Sequence, residues 1–131
     1  MKAVPILILG LTSTIFASSL EDFRWKKRIL VVTQSDESIG KQLREGKAGL
    51  AERDVEIFVL QGEAGIGKVP DKELATQLRE RFRPEKGKPE IILIGKDGKT
   101  VLRWEADKFT PSDLFAKVDA MPMRKDEMRK E

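Results

Sequence analysis

The chain has 131 residues, with 25 Lys plus Arg against 22 Asp plus Glu, a formal net charge of +3, and neither cysteine nor histidine. The missing cysteines exclude thiol redox catalysis and disulfide stapling, and the missing histidines remove the imidazole as general base, metal ligand or pH switch. Glu80, Glu85 and Glu90 interrupt the basic stretch from Arg79 to Lys88, so the charge reads as a solvated surface and not as the one-sided field of a nucleic-acid binder.

The first residues read as an address. Lys2 gives a positive start, Ala3 to Phe16 is almost continuously apolar, and Ala17-Ser18-Ser19 supplies the small residues an export peptidase needs. The apolar run falls short of the roughly 18 to 20 residues that cross a bilayer, and Pro5 and Gly10 weaken it as a permanent helix. The expectation is a signal peptide over residues 1–19, with an uncleaved anchor as the alternative. No cysteine follows for lipid attachment, so the processed chain is expected to be exported, periplasmic or extracellular, without stable membrane insertion. Removing 19 residues leaves 112, the size of one domain.

Arg28 to Gln34 is a short β-branched run and reads as the first strand, with Ser35-Asp36 capping a following helix. Ile39, Leu43, Leu50 and Ala51 give that helix its apolar spacing, while Gly40, Gly46 and Gly49 weaken its middle. Asp54 to Leu60 is the second strand. A glycine-rich loop leads to Pro70-Asp71, a helix start, and Leu74, Leu78 and Phe82 then form one stripe. Ile91 to Gly95 is the third strand, turned by Lys96-Asp97-Gly98-Lys99 into Thr100 to Glu105 as an antiparallel hairpin. The last helix starts at Thr110-Pro111, turns Leu114, Phe115, Val118 and Met121 inward, and ends at Pro122. Residues 124–131 carry only Met128 as an apolar group and are expected to be a charged flexible tail after a domain spanning 20–123.

The order β-α-β-α-β-β-α, an α/β arrangement with a mixed sheet flanked by helices, resembles a minimal thioredoxin-like domain. Pro89 sits where that fold places a proline, often after a cis peptide bond; the alternative is an ordinary trans proline opening a strand. Three stretches further resemble a family of exported thioredoxin-like domains of unassigned function, found as small bacterial proteins and in vertebrate matrix proteins such as Equarin and the sushi-repeat group. They are Leu20-Glu21-Asp22-Phe23-Arg24-Trp25 with Lys26-Lys27-Arg28, Ile94-Gly95-Lys96-Asp97-Gly98, and Met121-Pro122-Met123-Arg124. The resemblance implies fold and location, and it brings no catalytic residues.

In a thioredoxin-like domain the chemistry sits between the first strand and first helix, a corner that here reads Thr33-Gln34-Ser35-Asp36-Glu37-Ser38. Asp36 and Glu37 set carboxylates against the positive helix end, which stabilises a helix start and repels a thiolate or phosphate. Gly62-Glu63-Ala64-Gly65-Ile66-Gly67-Lys68 copies the glycine and lysine spacing of a phosphate-binding P-loop. Against it, Val69 offers no hydroxyl for Mg²⁺, Pro70-Asp71 delays the helix, and Glu63 adds negative charge. Trp25 among Arg24, Lys26, Lys27 and Arg28 can either clasp an anionic partner or close the sheet edge while the cations reach outward. Trp104 reads as core, and the pairs Glu21-Asp22 and Asp126-Glu127 read as solvated.

These features point to an exported, non-redox binding or structural module without cofactor, metal site or expected thiol oxidoreductase activity. Its partner is a protein, a peptide or an envelope polysaccharide, and no nucleic acid. The first candidate surface is the groove of Thr33, Gln34, Ser35, Lys88 and Pro89, where an extended peptide can add to exposed backbone; Trp25 and Arg28 form the second. The alternative from another class is an enzyme with a degenerate nucleotide site at Gly62 to Lys68. Export predicts that protein from the native host, measured by intact mass, starts near Leu20; full-length chain in the cytoplasm would contradict it.

Overall fold

The strand β1 (Arg28–Val32) is the hub of a four-stranded sheet. Its five residues are all buried, because both of its faces are covered and both of its edges are paired. In this computed structural model residues 19–130 are described; the apolar leader from Ala3 to Phe16 lies outside the described residues. The other strands are β2 (Val55–Val59), β3 (Glu90–Ile94) and β4 (Thr100–Glu105). The order is β2-β1-β3-β4, with β1 parallel to β2, antiparallel to β3, and β3 antiparallel to β4. That is the mixed α/β topology expected from the sequence.

Strand periodicity divides the core into two layers. Leu30, Val32, Ile57, Val59, Ile91 and Leu93 face the helices α1 (Glu37–Glu45), α2 (Lys47–Glu52) and α4 (Pro111–Asp119), meeting Ile39, Leu43, Leu50, Leu114 and Val118. Ile29, Val31, Phe58, Ile92 and Ile94 face α3 (Lys72–Phe82), whose stripe of Leu74, Leu78 and Phe82 is buried as expected. Trp104 is buried and meets Phe109 edge-on at 5.2 Å between ring centres. Asp36, Asp71 and Thr110 cap α1, α3 and α4, each accepting from the backbone N–H three residues on.

Two boundaries differ from the sequence reading. The first helix is broken: Gly46, at φ −93° and ψ 8°, ends α1 and opens α2. In α2 the ring of Phe115 lies so close that a Cβ on Gly49 would be 2.6 Å from its Cζ, so glycine serves close packing there. The second difference is larger. Pro122 does not terminate the domain but occupies the first turn of a further helix, α5 (Pro122–Arg129), and the tail expected to be flexible is docked through charge. The pair Asp126-Glu127, expected to be solvated, is divided: Asp126 is exposed beside Arg129, whereas Glu127 is half-buried.

Arg28 is completely buried. Its Nη1 and Nη2 donate to the two carboxylate oxygens of Glu127 at 3.2 Å each, and Nη1 also donates to the Arg53 carbonyl at 2.8 Å. Lys96, just past β3, donates to Glu127 Oε2 at 2.7 Å and to Asp54 Oδ2 at 2.9 Å. Alongside, Arg53 forks onto Asp119 at 3.0 and 2.9 Å, and buried Arg124 reaches Glu52 Oε2 at 2.8 Å. A sequence scan for apolar periodicity misses α5 because charges hold it. The hydrogen bond from Arg53 lowers the Asp119 carboxyl below its ordinary value against the opposing effect of burial. Burial pushes Glu127 up, but hydrogen bonds from Lys96 and Arg28 outweigh it and leave that carboxyl low as well.

Removing one partner of a buried pair strands the other in a poor solvent. Glu127→Ala is therefore expected to lower the unfolding free energy in urea by about 3 to 5 kcal/mol, whereas Asp126→Ala, from the exposed pair with Arg129, is expected to cost less than about 1 kcal/mol. Above the ordinary carboxyl values of 3.8 and 4.5 both acids are charged whether folded or not, and their stabilisation is complete. It is lost as the pH falls through their lower folded values, and Glu127→Gln should flatten that acid decline.

Candidate functional site

The corner between β1 and α1 is closed by its own backbone. Thr33 N–H donates to the Glu90 carbonyl at 3.0 Å, and Thr33 Oγ1 accepts from Glu90 N–H at 2.8 Å. Ser35 N–H donates to the Gln61 carbonyl at 2.8 Å. Gly62 closes the other side at φ +96°, where a Cβ would lie 2.5 Å from Ser35 O, so any side chain would push the two segments apart. The positive end of α1 faces the Asp36 carboxylate, which accepts from Ile39 N–H at 2.9 Å. This corner has the form of a capped helix start.

The five residues of the first candidate groove come near one another, but four of them line two different hollows and Ser35 lines neither. Thr33 and Gln34 border one of about 330 Å³, between the ends of β1 and β2 and the end of α3. Lys88 and Pro89 border another of about 650 Å³, beside Glu105 and Asp107. Ser35 is packed against Gly62. No cis peptide bond occurs among the described residues, so Pro89 is a trans proline preceding β3. Its carbonyl accepts from Ala106 N–H at 3.0 Å, and both backbone groups of Glu90 are engaged with Thr33. An added strand would have to displace these bonds.

Trp25 and Arg28 separate by role. Arg28 is sealed under the surface, while Trp25 is 58 % exposed and closes no sheet edge. Its φ of +69° is a conformation that costs a residue other than glycine about 1 kcal/mol or more. A hydrogen bond of 2.6 Å from Trp25 N–H to the Lys96 carbonyl fixes it there. The indole forms one wall of a mostly apolar hollow of about 330 Å³, with Val101, Met121 and Met123 as the other walls and Arg28 and Lys96 beneath. Val101 and Met123 remain 38 % and 37 % exposed. The three stretches singled out in the sequence, around Trp25, Lys96 and Met121 to Met123, thus meet at one place. As site residues, sequence reasoning missed Met123, for which the available signal was a Met-Pro-Met run joining two helices, and Val101 on β4, for which there was none.

The glycine-rich loop is spent on the fold. Lys68 runs beside the edge of β2: its N–H donates to the Ile57 carbonyl at 2.8 Å, and its carbonyl accepts from Val59 N–H at 2.9 Å. Gly67 N–H donates to Ala64, and Lys68 Nζ pairs with Glu56 at 3.1 Å. A phosphate cradle needs those backbone donors and that ammonium free. Among the described residues no group of three or more Asp or Glu side chains is placed to hold a metal ion.

Solved structures share this architecture. Thioredoxin peroxidase I of Plasmodium yoelii matches with a TM-score of 0.60 at 14 % identity, over 82 % of this chain and 79 % of that one. The reduced 2-Cys peroxiredoxin of Plasmodium vivax matches with a TM-score of 0.59 at 14 % identity, over 82 % and 72 %. A thiol:disulfide interchange protein from Bacteroides gives 0.51 at 18 % identity, over 76 % and 75 %. These likenesses define a thioredoxin-like fold, and this chain has no cysteine with which to perform the chemistry in those names. The chain belongs to the DUF4174 family, described as a domain of unknown function, which matches residues 19–127. No curated protein matches it. The family match runs into α5 as far as Glu127, the residue that neutralises Arg28.

Because the Lys68 ammonium and the Gly67 and Lys68 amides are occupied, ATP and GTP with Mg²⁺ are expected to bind no tighter than about 1 mM by calorimetry. A micromolar affinity abolished by Lys68→Ala would restore the nucleotide site.

Proposed function

We propose that this protein is an exported binding module without redox chemistry, and that its partner docks in the groove walled by Trp25, Val101, Met121 and Met123. Periplasmic or extracellular placement rests on the leader, and kinship with domains of vertebrate matrix proteins such as Equarin and the sushi-repeat group rests on the three motif stretches. One observation carries the choice of surface: the backbone holds Trp25 outward at positive φ, beside other exposed apolar side chains. Large apolar groups left in water beside a concavity mark interaction sites, and Trp and Met are enriched where partners bury most of their binding energy.

The partner is an extended protein segment with an apolar side chain flanked by acidic residues. The apolar side chain fills the groove, and Lys26, exposed next to Trp25 in the chain and without an ion pair among the described residues, attracts the acids. A partner crosslinked in the native compartment and then purified provides the test. Trp25→Ala is expected to weaken its binding at least about tenfold, the scale of one interface anchor, while Gln34→Arg leaves it unchanged and both variants keep their melting temperature. Loss of binding in Gln34→Arg with normal binding in Trp25→Ala would move the site to the β1 corner.

A further inference from the structure

The hollow at the carboxyl ends of β1 and β2 has a chemistry the Trp25 groove lacks. Because these strands are parallel, each delivers a glutamine to the same end of the sheet, Gln34 after β1 and Gln61 after β2. The facing wall is the end of α3. Arg79 on the last turn of α3 and Arg83, the residue that ends it, both line the hollow, and Lys86 follows on the loop. Arg79 Nη2 donates to the Leu60 carbonyl at 3.0 Å, which fastens its guanidinium at the hollow. Arg83 takes the left-handed conformation at φ 46° and ψ 60°, a helix-ending position that glycine fills with less strain.

Charge pairing separates these cations from the four arginines that knit the fold, and they share their unpaired state with exposed lysines such as Lys26 and Lys27. Arg28, Arg53, Arg103 and Arg124 are each matched to a carboxylate. Among the described residues no carboxylate pairs with Arg79, Arg83 or Lys86; one acid, Glu85, also lines the hollow, exposed and 3.8 Å from Lys88 Nζ. The helix dipole of α3 favours cations at its end, yet it gives no reason for two carboxamides to face them. Guanidinium groups match a carboxylate in forked geometry, whereas a carboxamide both donates and accepts, as a sugar hydroxyl does. Pro84 and Leu60 add an apolar margin against which the C–H face of a ring can rest. A volume of about 330 Å³ is at the small end of ligand sites and suits one ring.

We infer that this hollow binds a uronic-acid unit of an acidic polysaccharide, its carboxylate on Arg79, Arg83 and Lys86 and its hydroxyls on Gln34 and Gln61. The site is separate from the Trp25 groove, so either can fail without the other.

The probe is a short oligogalacturonate titrated into the full chain and followed by NMR of backbone amides, glutamine side chains and arginine Nε–H groups. Saturable shifts are expected at Gln34, Gln61, Arg79 and Arg83. The methyl-esterified oligomer, which keeps every hydroxyl but loses the charge, should bind at least about tenfold more weakly, the scale of one hydrogen bond to a charged group. Arg83→Gln and, independently, Lys86→Gln on the exposed loop should each weaken the acid oligomer about fivefold or more at an unchanged melting temperature. Trp25→Ala should bind it normally. Absence of saturable shifts, equal binding of the ester, or inorganic phosphate binding as tightly as the oligomer would each overturn the assignment.

Discussion

A guanidinium with no exposed surface, at the first position of the central strand, governs the rest of this molecule. Desolvating Arg28 costs several kcal/mol unless a well-placed anion faces it. The anion comes from Glu127, near the far end of the chain. Lys96 from the β3–β4 turn and Asp54 from the approach to β2 complete the same cluster. Arg53, Asp119, Arg124 and Glu52 extend it to α2, α4 and α5. The charges are spread over β1, the stretch from α2 into β2, the β3–β4 turn, α4 and α5, so pairing them fixes how these segments meet. The cost of burial leaves few arrangements that satisfy all of them, which is a stronger demand than contact between apolar faces makes.

The two ends of the sheet differ accordingly. At the amino end of β1 and β2 cations and anions are matched, and the surface above that closed floor is apolar. At the carboxyl end the cations are left over and the hollow is polar. The first arrangement supports a docking surface: a floor fixed by charge holds the groove open, while Met121 and Met123 supply adaptable walls. The second faces the same way as the reactive corner of a thioredoxin-like domain, but Thr33, Ser35 and Asp36 have given their hydrogen bonds to the fold.

Local signals made most of the fold legible. The β-branched runs, the caps at Asp36, Asp71 and Thr110, and the stripe of Leu74, Leu78 and Phe82 each act within a few residues, and each reappears in the structure. What was not legible depends on partners distant in sequence. Nothing near Arg28 announces that it is buried, because its acid lies 99 residues away. Trp25 reads first as an anchor closing the sheet edge, and only the Lys96 carbonyl that holds it outward makes it an exposed contact residue. The candidate groove illustrates both cases: proximity of Thr33 to the start of β3 followed from topology, whereas its division into two hollows depends on where α3 ends.

The pairing of residue 28 with residue 127 also sets an order of events during synthesis. Until the last helix has left the ribosome, the central strand begins with an arginine that has no anion to meet, and native burial of its guanidinium stays unfavourable. Contacts of such long sequence separation form late and slow the whole reaction. A nascent chain of this design cannot complete that native pairing until residue 127 has been made. It therefore remains threadable through a narrow conduit for longer than a fold closed by neighbouring residues would.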